Sequence, residues 1–559
     1  MATAAAAATA FVAAPASAAP SKGADTRNNN TSEKLRQAAS AQTALKHLEA
    51  FQSFADANDD NRASGTPGYD ASVDYVVAQL TAAGYTPEVQ AFEFPFYQEL
   101  APATLSLNGS PITTGSYTYS GADALTGAKL IPVDVQIPPG PTANSSTSGC
   151  QASDFAGLDF TGSNDVAVIQ RGTCTFGLKA ANAQAAGAEA VVIFNEGQAG
   201  RTALQIGTLG APEVTIPVIG ASFADGVRLV EASRVSGTVV TLSASTISEV
   251  RETYNVIAQT ATGNTDNVVM IGAHLDSVIA GPGINDNGSG SAGILEVALD
   301  MAKVKPTNAV RFAWWGAEEL GLLGSEHYVA ELSQAEIDQI ALYLNFDMIA
   351  SPNFVRFVYD GDDSDGKGAG AGPAGSDVIE KVFTDFFSGQ GLASEGTDFS
   401  GRSDYGPFIA EEDPTSGNLV GIPSGGLFTG AEDLKTAAQE AVYGGVAFAA
   451  FDPCYHQRCD ALSNYVLPAD KAATFAELRN EYPMVGNVNM LAFEQNIDAI
   501  AHSVITFAYS TTTVNGDAGS SGAGKTKVRN APGGGVSGGA GDPAGGGLHD
   551  DHGHDLPAA

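Results

Sequence analysis

Basic residues are scarce in this 559-residue chain: 27 Lys and Arg stand against 63 Asp and Glu, a formal net charge of −36. Nucleic-acid backbones and anionic membrane surfaces are bound by positive charge, so neither is an expected partner. Long apolar runs are also missing. None reaches the roughly 20 residues of a membrane-spanning helix, and no membrane partner is expected. Cysteine is limited to Cys150, Cys174, Cys454 and Cys459. No two of them have the Cys-x-x-Cys spacing that would favour a structural zinc site. Four cysteines in an exported chain suggest disulfides with three possible connectivities; their clustering favours Cys150–Cys174 and Cys454–Cys459.

Export is suggested by the other end of the composition. Residues 1–19 are Ala-rich and contain Ala16-Ser17-Ala18, like the apolar region and small-residue cleavage site of a secretory signal, although the basic leader is lacking. The expected localisation is secreted and extracellular, where an acidic coat keeps a protein soluble.

The rest of the chain divides by rhythm. Residues 31–57 carry Leu45, Leu48, Phe51 and Phe54 at helical spacing. A turn-rich "NDDNRASGTPGYD" follows, then a second helix on Val73, Val76, Val77 and Leu80, with Asp70 as candidate cap and Gly84 as stop. "PEVQAFEF" alternates like a strand. From 98 to 249 the chain is rich in Thr, Ser, Gly, Pro and Val, and "DVAVIQRG", "GLKAANAQAAGAE" and "AVVIFNE" form a small β-α-β unit. Beyond it, "NVVMIGAH", "AVRFAWW" and "LYLNFDMI" are long apolar strands separated by helices, which predicts a mixed, mostly parallel sheet covered on both faces. Residues 510–559 are Gly-rich and predicted to be a disordered tail.

Chemistry on such sheets gathers at the carboxyl ends of strands. There stand His274 and Asp276, then Glu318 and Glu319, then Asp347, each directly behind apolar residues. Asp286 lies between two asparagines before a small-residue helix. So many buried charges need a neutraliser, and metal cations suit His and carboxylate ligands. Of the eight histidines, His456 is the best remaining ligand, because a Cys454–Cys459 bridge would hold it and Tyr455 rigidly. These residues alone do not divide the roles of Glu318 and Glu319.

In chain order, "GAHLDSV", "GINDNGSGSAG", "RFAWWGAEELGLLGS", "YLNFDMI", "GRSDYGPF", "GGLFTGA" and "CYHQRCDALSN" together resemble the secreted bacterial double-zinc aminopeptidases of the leucine type, relatives of aminopeptidase Y. "VIQRGTCTFGLKAANAQAAGAEAVVIFN" resembles a protease-associated domain. The resemblance implies a zinc exopeptidase fold built from 31–97 and 250–509, with a small β-rich α+β protease-associated insert at 98–249. It implies two zinc ions, with a structural calcium ion as a further candidate. His274 and Asp347 would hold one zinc, Glu319 and His456 the other, and Asp286 would bridge them. Glu318 would be the general base, Asp276 would orient His274, and Tyr455 would donate to the developing oxyanion. Arg402 would contact the substrate, with Met348 and Phe428 in a pocket for an apolar first side chain. The expected activity is removal of N-terminal residues from peptides with a free amino terminus, by a monomer. A carboxypeptidase or dipeptidase of the same fold, and a non-enzymatic receptor-like relative, are the alternatives. The first needs cations to hold a substrate carboxylate; the second needs lost ligands.

Overall fold

Most of the strands join one sheet. In a computed structural model, which describes residues 28–367, 370–462 and 467–515, thirteen strands are connected. Their order is Glu395–Thr397, Phe357–Tyr359, Ser424–Phe428, Ile340–Phe346, Asn264–His274, Asn308–Trp315, Val240–Gln259, Asp123–Val133, Asp165–Gln170, Ala190–Phe194 and Val218–Ala221. Glu88–Leu107 pairs antiparallel along Val240–Gln259, and Ser110–Ile112 pairs with Glu88–Leu107.

The four strands Ser424–Phe428, Ile340–Phe346, Asn264–His274 and Asn308–Trp315 run parallel. Their carboxyl ends therefore share one edge. Residues alternate between two cores, as the pleat requires. Val269, Ile271, Ala273, Phe312 and Trp314 face one core with Leu48, Phe51, Val76, Leu295, Ile497 and Ile500. Met270, Ala313 and Trp315 face the other with Tyr343, Tyr328 and Phe408. Both faces are covered, which explains why these strands read as continuous apolar runs. The expected mixed, mostly parallel sheet flanked by helices is present.

Helix Gly288–Met301 packs unusually close to the sheet. A side chain at Gly290 would put a Cβ 2.2 Å from the carbonyl oxygen of Phe346. Only glycine lets this helix start directly beneath the end of the Ile340–Phe346 strand.

Between the flanking strands, Asp165–Gln170, Phe176–Ala186 and Ala190–Phe194 form the expected β-α-β unit. The helix stops at Gly187 in the left-handed conformation, φ 100°. Both expected disulfides, Cys150–Cys174 and Cys454–Cys459, are formed.

Details differ from the sequence reading. The first predicted helix is two, Ser32–Ala38 and Ala41–Ala57, because Ser40 caps the second through Thr43. The cap of the next helix is Thr66, followed by Pro67; Asp70 lies in its first turn. Strands Glu88–Leu107 and Val240–Gln259 pass uninterrupted through positions 97/98 and 249/250. At the other end the described chain continues to Asn515, pinned where Asn515 and Thr511 hydrogen-bond Asn267. No helix among the described residues is long and apolar enough to cross a membrane. Residues 1–19 and most of the predicted tail lie outside the described residues.

Candidate active site

The shared edge of the parallel strands delivers the ionisable groups. His274 ends its strand, Glu318 and Glu319 follow Asn308–Trp315, and Asp347 follows Ile340–Phe346. The backbone turns sharply beside Glu318 and Asp347 and at His456. Ala317, Met348 and His456 itself adopt positive φ of 53°, 48° and 53°. Non-glycine residues in that region carry strain, which persists where the surroundings hold a functional side chain in place.

Asp286 sits at the centre. Its Oδ1 is 3.3 Å from Nε2 of His274 and its Oδ2 is 3.2 Å from Nε2 of His456. His274 Nε2 is also 3.4 Å from Asp347 and 3.8 Å from Glu318. His456 Nε2 is 2.9 Å from Glu319. Two imidazoles and three further carboxylates thus gather around Asp286. Donor atoms of His274, Asp286 and Glu319, and those of His274, Glu318 and Asp347, lie within 4.8 Å of one another. Glu319 Oε1 and Asp347 Oδ1 are buried without a hydrogen-bond partner. Buried oxygens left unsatisfied in this way cost free energy unless a cation completes them. The donor set fits zinc, which takes imidazole nitrogen and carboxylate oxygen.

Electrostatics follows from the crowding. Burial pushes the Glu318 carboxyl well above its usual range; His274 pulls it down, and Asp347 and Asp404 push it further up. Burial likewise raises Glu319 to about 6 against the opposing pull of His456. Burial also disfavours the charged form of Asp286, but hydrogen bonds from His274 and His456 overcome this and hold it below the carboxylate range. Burial would lower His456; Glu319 and Asp286 raise it to about 11. Burial and the nearby carboxylates raise Tyr455, so its hydroxyl stays a donor.

Hydrogen bonds fix the ring of residues. His274 Nδ1 lies 3.2 Å from the carbonyl oxygen of Asp276 and 3.6 Å from its carboxylate. The Asp276 carboxylate instead accepts from the Glu318 amide. Ser403 Oγ donates to Asp347 Oδ2 and accepts from Asn345. Asn287 Oδ1 accepts from the amides of Gly290 and Met348. Tyr455 stacks on His456 with ring centroids 3.8 Å apart.

A cavity of about 150 Å³ opens over these groups. Met348, Phe357, Phe428, Phe451, Tyr359 and Tyr455 line it, and Arg402 stands at its rim against Glu432 at 3.3 Å. Every residue expected to hold metal or touch substrate therefore borders one cavity. Asp276 lies behind it.

A family model described as Peptidase family M28 matches residues 255–479, and a PA domain model matches 134–229. A protein named aminopeptidase from Pseudomonas aeruginosa is 48% identical over 433 residues, covering 76% of this chain and 77% of that protein. The chain belongs to peptidase family M28. Leucine aminopeptidase 2 of Trichophyton tonsurans is 40% identical over 451 residues, covering 80% of this chain and 84% of that protein. The solved aminopeptidase from Aneurinibacillus sp. strain AM-1 shares the fold, with a TM-score of 0.54 at 24% identity, covering 86% of this chain and 96% of that one. As an M28 peptidase the chain is a hydrolase of peptide bonds, and it carries a PA domain ahead of the peptidase segment.

Several residues around the M28 site went unread in the sequence. Arg62, Asp452 and Asp460 are buried and hydrogen-bond the loop that carries Asp286. Phe357 and Phe451 join the apolar wall. Asp404 is buried against Ser325. A charged residue inside a Gly-rich turn, as in "NRASG", was the one available signal for Arg62. Away from the site, Asp360, Asp362 and Glu380 also bring carboxylates together. Their oxygens accept from the amides of Ser364, Asp365 and Gly361, so the loop closes on its own hydrogen bonds.

Proposed function

We propose that this M28 peptidase is a two-zinc aminopeptidase that prefers a large apolar first residue on peptides with a free amino terminus. The observation that carries the reading is Asp286, whose two oxygens face two different histidines. A carboxylate so placed is what a dinuclear hydrolytic centre needs as its bridge. His274 and Asp347 would hold one ion, and Glu319 and His456 the other. Bound zinc supplies Lewis acidity and makes a water acidic enough to act at neutral pH.

The chain's own groups do the rest. Glu318 borders the cavity beside His274. Burial raises its proton affinity, which suits a general base that takes a proton from the attacking water and returns it to the leaving amine. The Tyr455 hydroxyl would donate to the oxyanion formed at the first peptide carbonyl. Asp276 holds the Glu318 amide and contacts the His274 ring through its carbonyl, so it would align both. Met348, Phe357, Phe428 and Phe451 offer the first side chain an apolar wall. Arg402, at the rim, would contact the substrate.

A carboxypeptidase reading finds less support. Arg402 is the one Arg or Lys among the cavity-lining residues, and Glu432 already faces it. Secretion rests on the signal-like first 19 residues and on the two disulfides. The division into a peptidase domain of 31–97 and 250–509 around an insert of 98–249 is retained as part of the proposal, as is the monomeric state.

The test compares a leucine anilide with the same residue blocked at its amino group, and counts metal in the purified protein. Hydrolysis of the free form alone, with two zinc ions per chain, is expected. Cleavage of only the blocked form would sink the aminopeptidase assignment.

A further inference from the structure

Arg62 is fully buried and does not border the cavity. It binds backbone, and its Nε, Nη1 and Nη2 donate to the carbonyl oxygens of Pro282, Leu275 and Gly283. Its own backbone is tied to Ser277 in both directions, Arg62 N to Ser277 Oγ at 2.9 Å and Ser277 N to Arg62 O at 3.2 Å. Phe51 packs against the guanidinium at 5.0 Å. Leu275 directly follows His274, and Gly283 comes just before Ile284 and Asp286. One side chain thus closes both ends of the loop that joins the first histidine to the bridging aspartate.

Asp460 holds the other side of the same aspartate. Its Oδ1 accepts from the Asn285 amide at 2.8 Å, and its Oδ2 from the Asp286 amide at 2.9 Å. Its backbone carbonyl accepts from Ile284 N at 3.1 Å. Asn487 Nδ2 donates to the same Oδ1 at 2.8 Å. Asp460 directly follows Cys459, which closes the short loop that carries His456.

The division of labour is chemical. A guanidinium offers a rigid fork of donors and so collects carbonyls; a carboxylate offers only acceptors and so collects amides. Neither residue can replace the other. Between them Asp286 is fixed relative to two histidines that belong to different parts of the chain.

We infer that Arg62 and Asp460 are positioning residues for the bridging carboxylate, Arg62 setting Asp286 against His274 and Asp460 setting Asp286 against His456. Each therefore governs a different metal of the pair. This rests on the two-metal reading of the site. Residues that orient metal ligands from outside typically change metal affinity by about 10–100-fold when altered.

The experiment is a double-mutant cycle on the full chain, read as zinc affinity by chelator competition. Arg62→Lys keeps the charge but cannot span three carbonyls. It is expected to weaken zinc binding at least about 10-fold. That loss should persist in a Glu319→Gln background and vanish in Asp347→Asn, where the His274 site is already damaged. Asp460→Asn should show the reverse pattern. The melting temperature of the metal-free protein is recorded in parallel. A lower melting temperature with unchanged zinc affinity, or a loss of equal size in both backgrounds, would overturn the inference. If Arg62→Lys does not fold, the Asp460→Asn cycle decides alone. A wild-type protein that binds fewer than two zinc ions would instead bring down the two-metal reading, and this inference with it.

Discussion

The backbone amide of Glu318 donates to Asp276 Oδ1 at 3.2 Å. The two residues stand after neighbouring parallel strands, and this bond locks their ends together. Asp276 also contacts the His274 ring through its carbonyl oxygen. One residue thus sets both an imidazole expected to bind metal and the carboxylate expected to move the proton.

Glu318→Gln keeps the shape and removes the base. Turnover is expected to fall by about 10²–10⁴-fold, the usual contribution of a positioned acid–base group. Metal content should stay at the wild-type value, because His274, Asp286, Glu319, Asp347 and His456 remain. Steady-state rates on a leucine anilide, with metal counted in the same samples, check this. Turnover near wild type would remove Glu318 from the role.

The metal-free protein should lose stability as pH rises. Burial would lower both histidines, but Glu318 and Asp347 hold His274 well above its usual value, and Glu319 and Asp286 raise His456 to about 11. A histidine with a raised folded pKa binds its proton more tightly when folded. Its contribution is complete below the unfolded value of about 6.5 and is lost as pH climbs through the folded one. Zinc must displace those protons, so its affinity grows over the same range. Melting curves of chelator-stripped and zinc-loaded protein across that window should diverge as pH rises. Parallel curves would contradict the protonation assigned to His274 and His456.

The apolar wall gives a third prediction. Phe428 and Phe357 stack with centroids 6.1 Å apart, and Phe451 meets Phe357 edge-on at 5.3 Å. Phe428→Ala should raise KM for leucine substrates more than it lowers kcat, because the side chain binds ground state and transition state alike. One lost hydrophobic contact is worth about 1–3 kcal/mol, so discrimination between leucine and alanine anilides should shrink by about 10-fold or more. An unchanged leucine-to-alanine ratio would place the first side chain elsewhere.

Much of this site was legible because several of its ionisable residues stand at strand ends. His274, Glu318 and Asp347 each follow an apolar run, and an ionisable group in that position has few structural explanations. The bridging role proposed for Asp286 needed the ordered set of motifs, since nothing local distinguishes a bridging aspartate, whereas His456 was marked by the Cys454–Cys459 bracket around it. Arg62 and Asp460 escaped for a physical reason. They bind main-chain carbonyls and amides, which carry no sequence identity, across contacts between distant segments. The break at Ser40 was hidden in a similar way: the apolar spacing continues through it, and only the hydrogen bonds of Ser40 with Thr43 mark the new start. The strands crossing 97/98 and 249/250 were obscured because composition changes there while the hydrogen-bond ladder does not.

The two disulfides should separate stability from catalysis. Cys150 and Cys174 are 24 residues apart in the chain, and Cys454 and Cys459 only 5. A crosslink stabilises mainly by restricting the unfolded chain, more so for longer loops, and a loop of about 15 residues or more contributes about 3 kcal/mol. Replacing Cys150 and Cys174 with serine should therefore lower the melting temperature and leave turnover near wild type, since neither residue borders the cavity. Replacing Cys454 and Cys459 should lower turnover while changing the melting temperature less. The short loop contributes less to global stability, but it holds His456 at positive φ and stacked on Tyr455. Turnover should fall and recover in part with added zinc, as His456 is drawn back by the metal. Melting temperature, turnover and zinc dependence of the two double variants decide the matter. Equal effects of both pairs on turnover would mean that the Cys454–Cys459 bridge does not position His456.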